Sequence, residues 1–506
     1  QSFIKTAVQL AALPYLQDPA TALPVGTLTA ETPAAAFTKF GVPPGIQSGN
    51  IDEILETDIT TFNLLDPASG AFHPDPSLAS AEKLHVLIST PLLANVPTCV
   101  FSAQLHCAPM VIFRHGLTGG RIQMLLIAEA FAKAGMVTVA IDAAKHGDRS
   151  FCTSGTTGAE SGCVGGAACT TPLPPGAQGD VNPPGTCGAA GFIKRGLNGV
   201  VVGSGVGAPT DGIPAATPLG PISGNYLITA NFFRTRDTMR QDLIDQSQLI
   251  RALVVAPPAA PGATGNSVFD HMIGRGVIID PVPGSIYYVG QSLGAIQGAM
   301  DVAANPRIAK AVLNVGGGTL VDVFTNSPAF ATQVSALLAS LGIDKAADPA
   351  RYLQFLTVAK TVLDPADPVN YVGHLTSIKT TLPNLLPPLG GNPNGSVPQL
   401  PKKVLTQIAN CDNVVPNPFG LVYSFNTGVG PLPPGAFAPG ARGTFQLFAG
   451  TAFTPGDFTN PLQCTPTKVA SHGLLLDFAS PALTAAAQAD AAAFLKSDTI
   501  PLSVRQ

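Results

Sequence analysis

A serine sits at the centre of Gly290-Gln291-Ser292-Leu293-Gly294, directly after the apolar run Ser285-Ile286-Tyr287-Tyr288-Val289 and before the helix-forming stretch 295–304. Strand, sharp turn and helix in that order lift the hydroxyl clear of the backbone and aim the following N–H at the same point. The flanking glycines let strand and helix approach closely, which is the geometry of a nucleophile elbow. With 53 glycines in the chain, the bare G-x-S-x-G pattern is expected by chance roughly 0.3 times, so its setting carries the assignment.

A serine hydroxyl is almost wholly protonated at neutral pH, so Ser292 needs a general base and an acid to orient that base. Of the eight histidines only His374 and His472 follow Ser292. His374 falls in a helical insertion. His472, in Ala470-Ser471-His472-Gly473, lies between the last predicted strand and the last helix, where the base belongs, so elimination favours it. For the acid, Asp412 follows the predicted strand 404–408. A carboxylate there can reach the ring of a histidine in the next loop. Asp364, Asp367 and Asp457 are its competitors, and their positions in the insertion or after the eighth strand rank them lower. Cys411 and Cys464 flank the acid and base loops, and a bridge between them would tie the two together.

An oxyanion hole needs two N–H donors. The Leu293 amide is one candidate; the other is Leu117, in His115-Gly116-Leu117-Thr118-Gly119-Gly120, where glycines permit unusual backbone geometry. The alternative for that loop is a plain strand-to-helix turn. Three further patterns are assigned no chemistry: Thr153–Gly158, Gly203–Gly207 (no βαβ unit surrounds it), and Asp142 with His146–Arg149, which is expected to pin a loop.

The elements that must position these residues are short β-branched runs alternating with helices from about residue 84. Strands are predicted at 84–89, 110–114, 137–141, 286–290, 311–315, 404–408 and 445–448, and helices at 123–134, 239–255, 293–304, 329–341, 350–363 and 483–496. Near-continuous apolar strands separated by helices indicate a mostly parallel sheet covered on both faces, an α/β architecture. Residues 1–83 read as an N-terminal extension. Residues 84–318 and 401–506 read as the two parts of the core, with a disulfide-pinned loop insertion at 150–235 and a cap at 319–400.

Composition narrows the function. Charged residues are 11% of the 506 and the net charge is −4 with no basic cluster, which argues against a nucleic-acid partner. No run of 18 apolar residues occurs, so no membrane-spanning helix is expected. Eight cysteines in a lysine-poor chain point to disulfides and an oxidising compartment. Cys99 and Cys107 bracket a short connection, and Cys152, Cys163, Cys169 and Cys187 lack metal-ligand spacing. The chain opens on Gln1, from which removal of an upstream targeting segment is expected.

With these residues in place the chain resembles the α/β-hydrolase superfamily over about residues 84–500. More narrowly, it resembles bacterial extracellular lipases of the virulence-factor type, through His115-Gly116-Leu117-Thr118, Arg236-Asp237-Thr238-Met239-Arg240-Gln241, the elbow, and Asp364-Pro365-Ala366-Asp367-Pro368. The resemblance implies serine carboxylic-ester hydrolysis of lipid-like esters, no cofactor, and export from the cell, with a small-molecule or lipid ester as partner and contact with a polymer or lipid interface. It departs at Gln291, a place often filled by His. The runner-up with the same chemistry is a polyester depolymerase; the rival from another class is a non-catalytic binding protein that keeps the fold. The sequence leaves the oligomeric state open.

Overall fold

The structure is a computed structural model that describes residues 28–66, 69–149, 231–254, 267–282, 284–376, 402–427, 443–448, 472–477 and 480–498, with Gly26, Leu227 and short strands elsewhere. Cys163, Cys464 and Asp457 lie outside the described residues, as does most of the 150–235 insertion.

Ten strands make one sheet: β1 (Thr29–Glu31), β2 (Ile51–Asn63), β3 (Ser80–Pro91), β4 (Met110–Arg114), β5 (Val137–Ile141), β6 (Ile286–Gln291), β7 (Ile308–Asn314), β8 (Lys403–Ala409), β9 (Gly443–Phe448) and β10 (Val504–Arg505). Their order is β1-β2-β3-β5-β4-β6-β7-β8-β9-β10. The pairs β1/β2, β2/β3 and β3/β5 are antiparallel, and every pair from β5/β4 onward is parallel. Every residue of β4, β5 and β6 is buried, as expected of strands covered on both faces. Alternate side chains of β4 feed two cores. Val111 and Phe113 join one with Phe131, Leu405 and Leu495; Met110 and Ile112 join another with Val139, Ile250 and Tyr423.

The helices around the site are α1 (Ala128–Lys133), α2 (Phe232–Val254), α3 (Leu293–Ala304), α4 (Leu320–Asn326), α5 (Ala331–Ser340), α6 (Pro349–Leu363), α7 (Val369–Thr376), α8 (Asn417–Asn426) and α9 (Pro481–Ser497), and Pro33–Lys39 and Ser267–Gly274 are helical as well. None among the described residues is long and apolar enough to cross a membrane.

Two sequence expectations need correction. The helix expected over 123–134 is a 3-10 turn, Arg121–Leu126, followed by the shorter α1. The Arg121 amide and guanidinium are both bound to the Asp142 carboxylate, which fixes the chain's entry into that turn. The sheet also begins well before residue 84. The run Ile51–Asn63 pairs with β3 along its length, and its polar residues alternate with buried Ile54, Thr57, Ile59 and Thr61. One half-solvated face leaves this strand without the continuous apolar run of the central strands.

Cys99 and Cys107 form a disulfide with Cα atoms 4.9 Å apart, closing the turn between Thr98–Cys99 and Ser102–Ala108. Cys411 is also disulfide-bonded.

Candidate active site

The strand β6 ends in a turn that only a strained backbone can make. Ser292 has φ +56° and ψ −115°, outside the regions an L-residue prefers, a conformation costing on the order of 1–3 kcal/mol. Neighbouring bonds hold it there. Its N–H donates to the Asn314 carbonyl (2.9 Å), and its own carbonyl accepts from Ala295 (2.8 Å) and Ile296 (3.0 Å). The two glycines of the motif are needed for room rather than for φ. A Cβ on Gly290 would lie 2.3 Å from the Gly294 carbonyl oxygen, and one on Gly294 would lie 2.2 Å from that of Arg114. Tyr288 and Tyr423 brace the first turn of α3 by donating to the Gly294 (2.7 Å) and Ala295 (2.5 Å) carbonyls.

Three loops at the carboxyl ends of β6, β8 and β9 meet over this turn. Ser292 Oγ lies 2.7 Å from His472 Nε2, and His472 Nδ1 lies 2.6 Å from Asp412 Oδ2. The other oxygen of Asp412 accepts from the Val414 (2.8 Å) and Val415 (3.0 Å) amides. One carboxylate oxygen is thus spent on fixing its own loop, which aims the other at the imidazole. Asp412 and Ser292 are buried at 7% and 9% exposure, while the His472 side chain keeps 16%.

The competing residues are elsewhere. His374 is exposed on α7. Asp364 accepts from the Asn370 side chain (2.9 Å). Asp367 takes the amides of Thr319 (3.0 Å), Leu320 (2.8 Å) and Val369 (3.1 Å), anchoring the start of α4; burial is the chief influence on its carboxyl and pushes its pKa up.

The loop after β4 turns at Gly116–Gly119, where the Gly119 N–H donates to the Gly116 carbonyl (3.0 Å) and Thr118 has φ +65°. In such a turn the N–H of the second residue, Leu117, is left out of the turn's own bond. The loop lies against Ser292, since a Cβ on Gly116 would meet Ser292 Cβ at 3.2 Å. Leu293 is the first residue of α3, so its N–H likewise has no acceptor within the helix. His115 supports this loop from beneath. Its Nε2 accepts from the Ala143 amide (3.0 Å), which assigns the ring proton to Nδ1, facing the Gly116 carbonyl at 2.8 Å. Burial, reinforced by nearby Arg114, holds the imidazole well below its ordinary pKa and keeps it neutral. His146, whose ring centre is 5.2 Å away, is pushed down by burial to about 4.

Sequence reasoning missed several supports. Arg114, fully buried, donates to Asp242 (3.0 Å) and to the Ile141 carbonyl (2.6 Å). A row of amides runs Asn314–Gln407–Gln446 (2.9 and 3.1 Å) and ends on Asp490 of α9 at 2.6 Å, linking the strand beside Ser292 to the last helix. A signal was present in their spacing, since these polar residues occupy apolar strands. The Asp142 and His146–Arg149 segment does pin a loop: Arg149 binds Glu82 (2.8 Å) and Asp245 (2.6 Å). The stretch 236–241 ties α2 to the connection between β2 and β3, with Asp237 accepting from Phe72 (3.0 Å) and Gln241 from Leu64 (2.9 Å).

No protein-family description and no curated protein matches the sequence. Similar solved structures include an acetyl xylan esterase from Paenibacillus sp. R4 (12% identity, 88% of each chain, TM-score 0.36) and a hyperthermophilic esterase from Pyrobaculum calidifontis (11% identity, 97% of this chain and 91% of that one, TM-score 0.35). An acylaminoacyl peptidase from Pyrococcus horikoshii gives 9% identity over 91% of this chain and 51% of that one, with TM-score 0.37. The chain's own geometry, with its central strand order β2-β3-β5-β4-β6-β7-β8-β9, β3 antiparallel to its neighbours, and a serine at the turn between β6 and α3, is the α/β-hydrolase fold.

Proposed function

We propose that the chain is a serine carboxylic-ester hydrolase acting on lipid-like esters. The observation that carries this reading is the unbroken line from Asp412 Oδ2 through His472 to Ser292 Oγ, with bonds of 2.6 and 2.7 Å. In this reading His472 Nε2 takes the Ser292 proton as Oγ adds to the ester carbonyl. Asp412 holds the ring in the tautomer that leaves Nε2 free to accept and stabilises the imidazolium that forms. The Leu117 and Leu293 amides receive the developing oxyanion. The imidazolium then protonates the departing alcohol, leaving an acyl-serine. Water, deprotonated by the same ring, adds to that ester and releases the acid and Ser292.

An apolar acyl group is supported by what packs behind the serine. Leu293, Ile296, Met300, Met239 and Leu320 form one buried cluster, against which Leu117 rests half-buried. A separate cavity of about 640 Å³ lies within the insertion between α4, α5 and α6, and none of its lining residues belongs to the Ser292 constellation. The Cys99–Cys107 bridge supports export to an oxidising compartment.

The test is initial rates on p-nitrophenyl esters from acetate to palmitate for the wild type and Ser292→Ala. The substitution should cost about 10⁴–10⁶-fold in kcat with the fold intact. A rate optimum at long chains supports a lipid ester as substrate and one at acetate overturns that part. Equal rates in the two proteins overturn the mechanism.

A further inference from the structure

We infer that Gln291 is a positioning residue, whose side-chain amide sets the reach of His472 to the nucleophile. The inference rests on the hydrolase reading above and adds to it a residue that touches neither substrate nor the transferred proton. Gln291 is the last residue of β6 and is 3% exposed. Its Nε2 donates to the main-chain carbonyl of His472 at 2.7 Å. A carbonyl can only accept, so the orientation of the Gln291 amide is fixed by its partner.

The value of this bond lies in where it starts. Gln291 is covalently joined to Ser292, and its own strand position is locked by pairing with Asn314 of β7, whose carbonyl also takes the Ser292 N–H. The base loop has other ties. Gln488 of α9 donates to the Leu475 carbonyl (2.7 Å), and Asp412 holds the ring from the loop after β8. Those ties fix the loop to the helix and the acid. Gln291 fixes it to the strand carrying the nucleophile. The Ser292–His472 bond cannot do this alone, because it is exchanged each time the proton moves.

Packing does not explain the choice of glutamine. Its Oε1 is buried with no hydrogen-bond partner among the described residues, an arrangement that costs stability. A methionine of similar length would fill the space without that cost, so the amide is explained by its one donated bond.

The test compares wild type, Gln291→Met, Gln291→Glu and Ser292→Ala. The readouts are kcat and KM for p-nitrophenyl butyrate, thermal melting, and the downfield proton NMR signal of the His472 Nδ1–H shared with Asp412. Gln291→Met should melt at or above the wild-type temperature, lose about 10–100-fold in kcat with KM within about threefold, and broaden or shift the downfield signal. Gln291→Glu keeps the shape but, when ionised, has no proton to donate; at pH 8 it should lose as much kcat, and it serves alone if Gln291→Met does not melt cooperatively. A Gln291→Met protein with kcat within about twofold of wild type and an unchanged downfield signal overturns the inference. A wild type no faster than Ser292→Ala overturns the hydrolase reading instead, and the NMR signal, which needs no substrate, still decides whether Gln291 places His472.

Discussion

Helix α3 and the insertion helices α5 and α6 are held by opposite means. From Leu293 to Ala303 every residue of α3 is buried, whereas α5 buries only Leu337 and Leu338, and α6 only Tyr352, Ala359 and Leu363. Around α3 the fit is set by exclusion. A Cβ on Gly298 would lie 2.4 Å from the Tyr288 ring, and Gly290 and Gly294 have no more room. Among the described residues the insertion is held by a small buried cluster of Val321, Ala359 and Leu363 and by directional bonds. Asp367 gathers the amides at the start of α4, and the Asn413 carbonyl accepts from Ser327 Oγ (3.1 Å) and the Ala329 N–H (3.0 Å). A site built this way fixes Ser292 through the core around it and leaves the insertion to local links. Adding an atom should break the first region, and removing a bond should loosen the second.

The largest effect is expected at Gly294. Gly294→Ala forces a methyl group against the Arg114 carbonyl and should cost more than about 3 kcal/mol in urea unfolding, or prevent folding. A cost below about 1 kcal/mol would break the comparison, since it would mean that the elbow relaxes as easily as a surface loop. Acid gives the next effect. His146 titrates near 4 in the folded chain against 6.5 unfolded, and His115 is depressed in the same direction. A base with a lowered folded pKa favours the folded state above its unfolded pKa, and that advantage is lost as pH falls from about 6.5 toward 4. His146 alone accounts for about 3 kcal/mol over that window. Urea midpoints at pH 7.5, 5.5 and 4.5 should fall in that order, with a shallower decline in His146→Phe; a flat profile would show that the ground beneath the Gly116–Gly119 turn is wetter than its burial implies. The smallest effect is expected from Asp367→Ala, about 1–2 kcal/mol in stability, accompanied by a changed dependence of rate on acyl-chain length. An unchanged chain-length profile would sharpen the comparison by separating the insertion from the substrate.

The residues that meet at Ser292 were legible because each obeys a local rule. A serine between close-packed glycines, an aspartate after an apolar strand and a histidine before the last helix can each be found by spacing and elimination. The N-terminal strands were not, because β2 alternates charged and apolar residues and resembles an exposed segment until β3 is laid beside it. Nor was the role of Asp367. Its motif suggests chemistry, but only the fold shows that its oxygens are occupied by backbone amides. Gln291 was noticed as a departure from a pattern, and its purpose depends on a carbonyl 181 residues away. Local signals name the residues that meet. The bonds that hold them in register are long-range, and the sequence marks them only by polar residues set into apolar strands.

The ends of the sheet have a consequence for the protein in crowded solution. The outermost strands β1 and β10 are three and two residues long, while β2 behind one of them has thirteen. An unpaired strand edge is a template on which another chain can add, and the hazard grows with its length. Here the longest strand is covered along part of its outer side by β1, and the opposite end tapers to two residues. Over Ile54 to Glu56 the outer edge of β2 is already taken up by β1, so a second chain adding to the sheet there must first displace that strand.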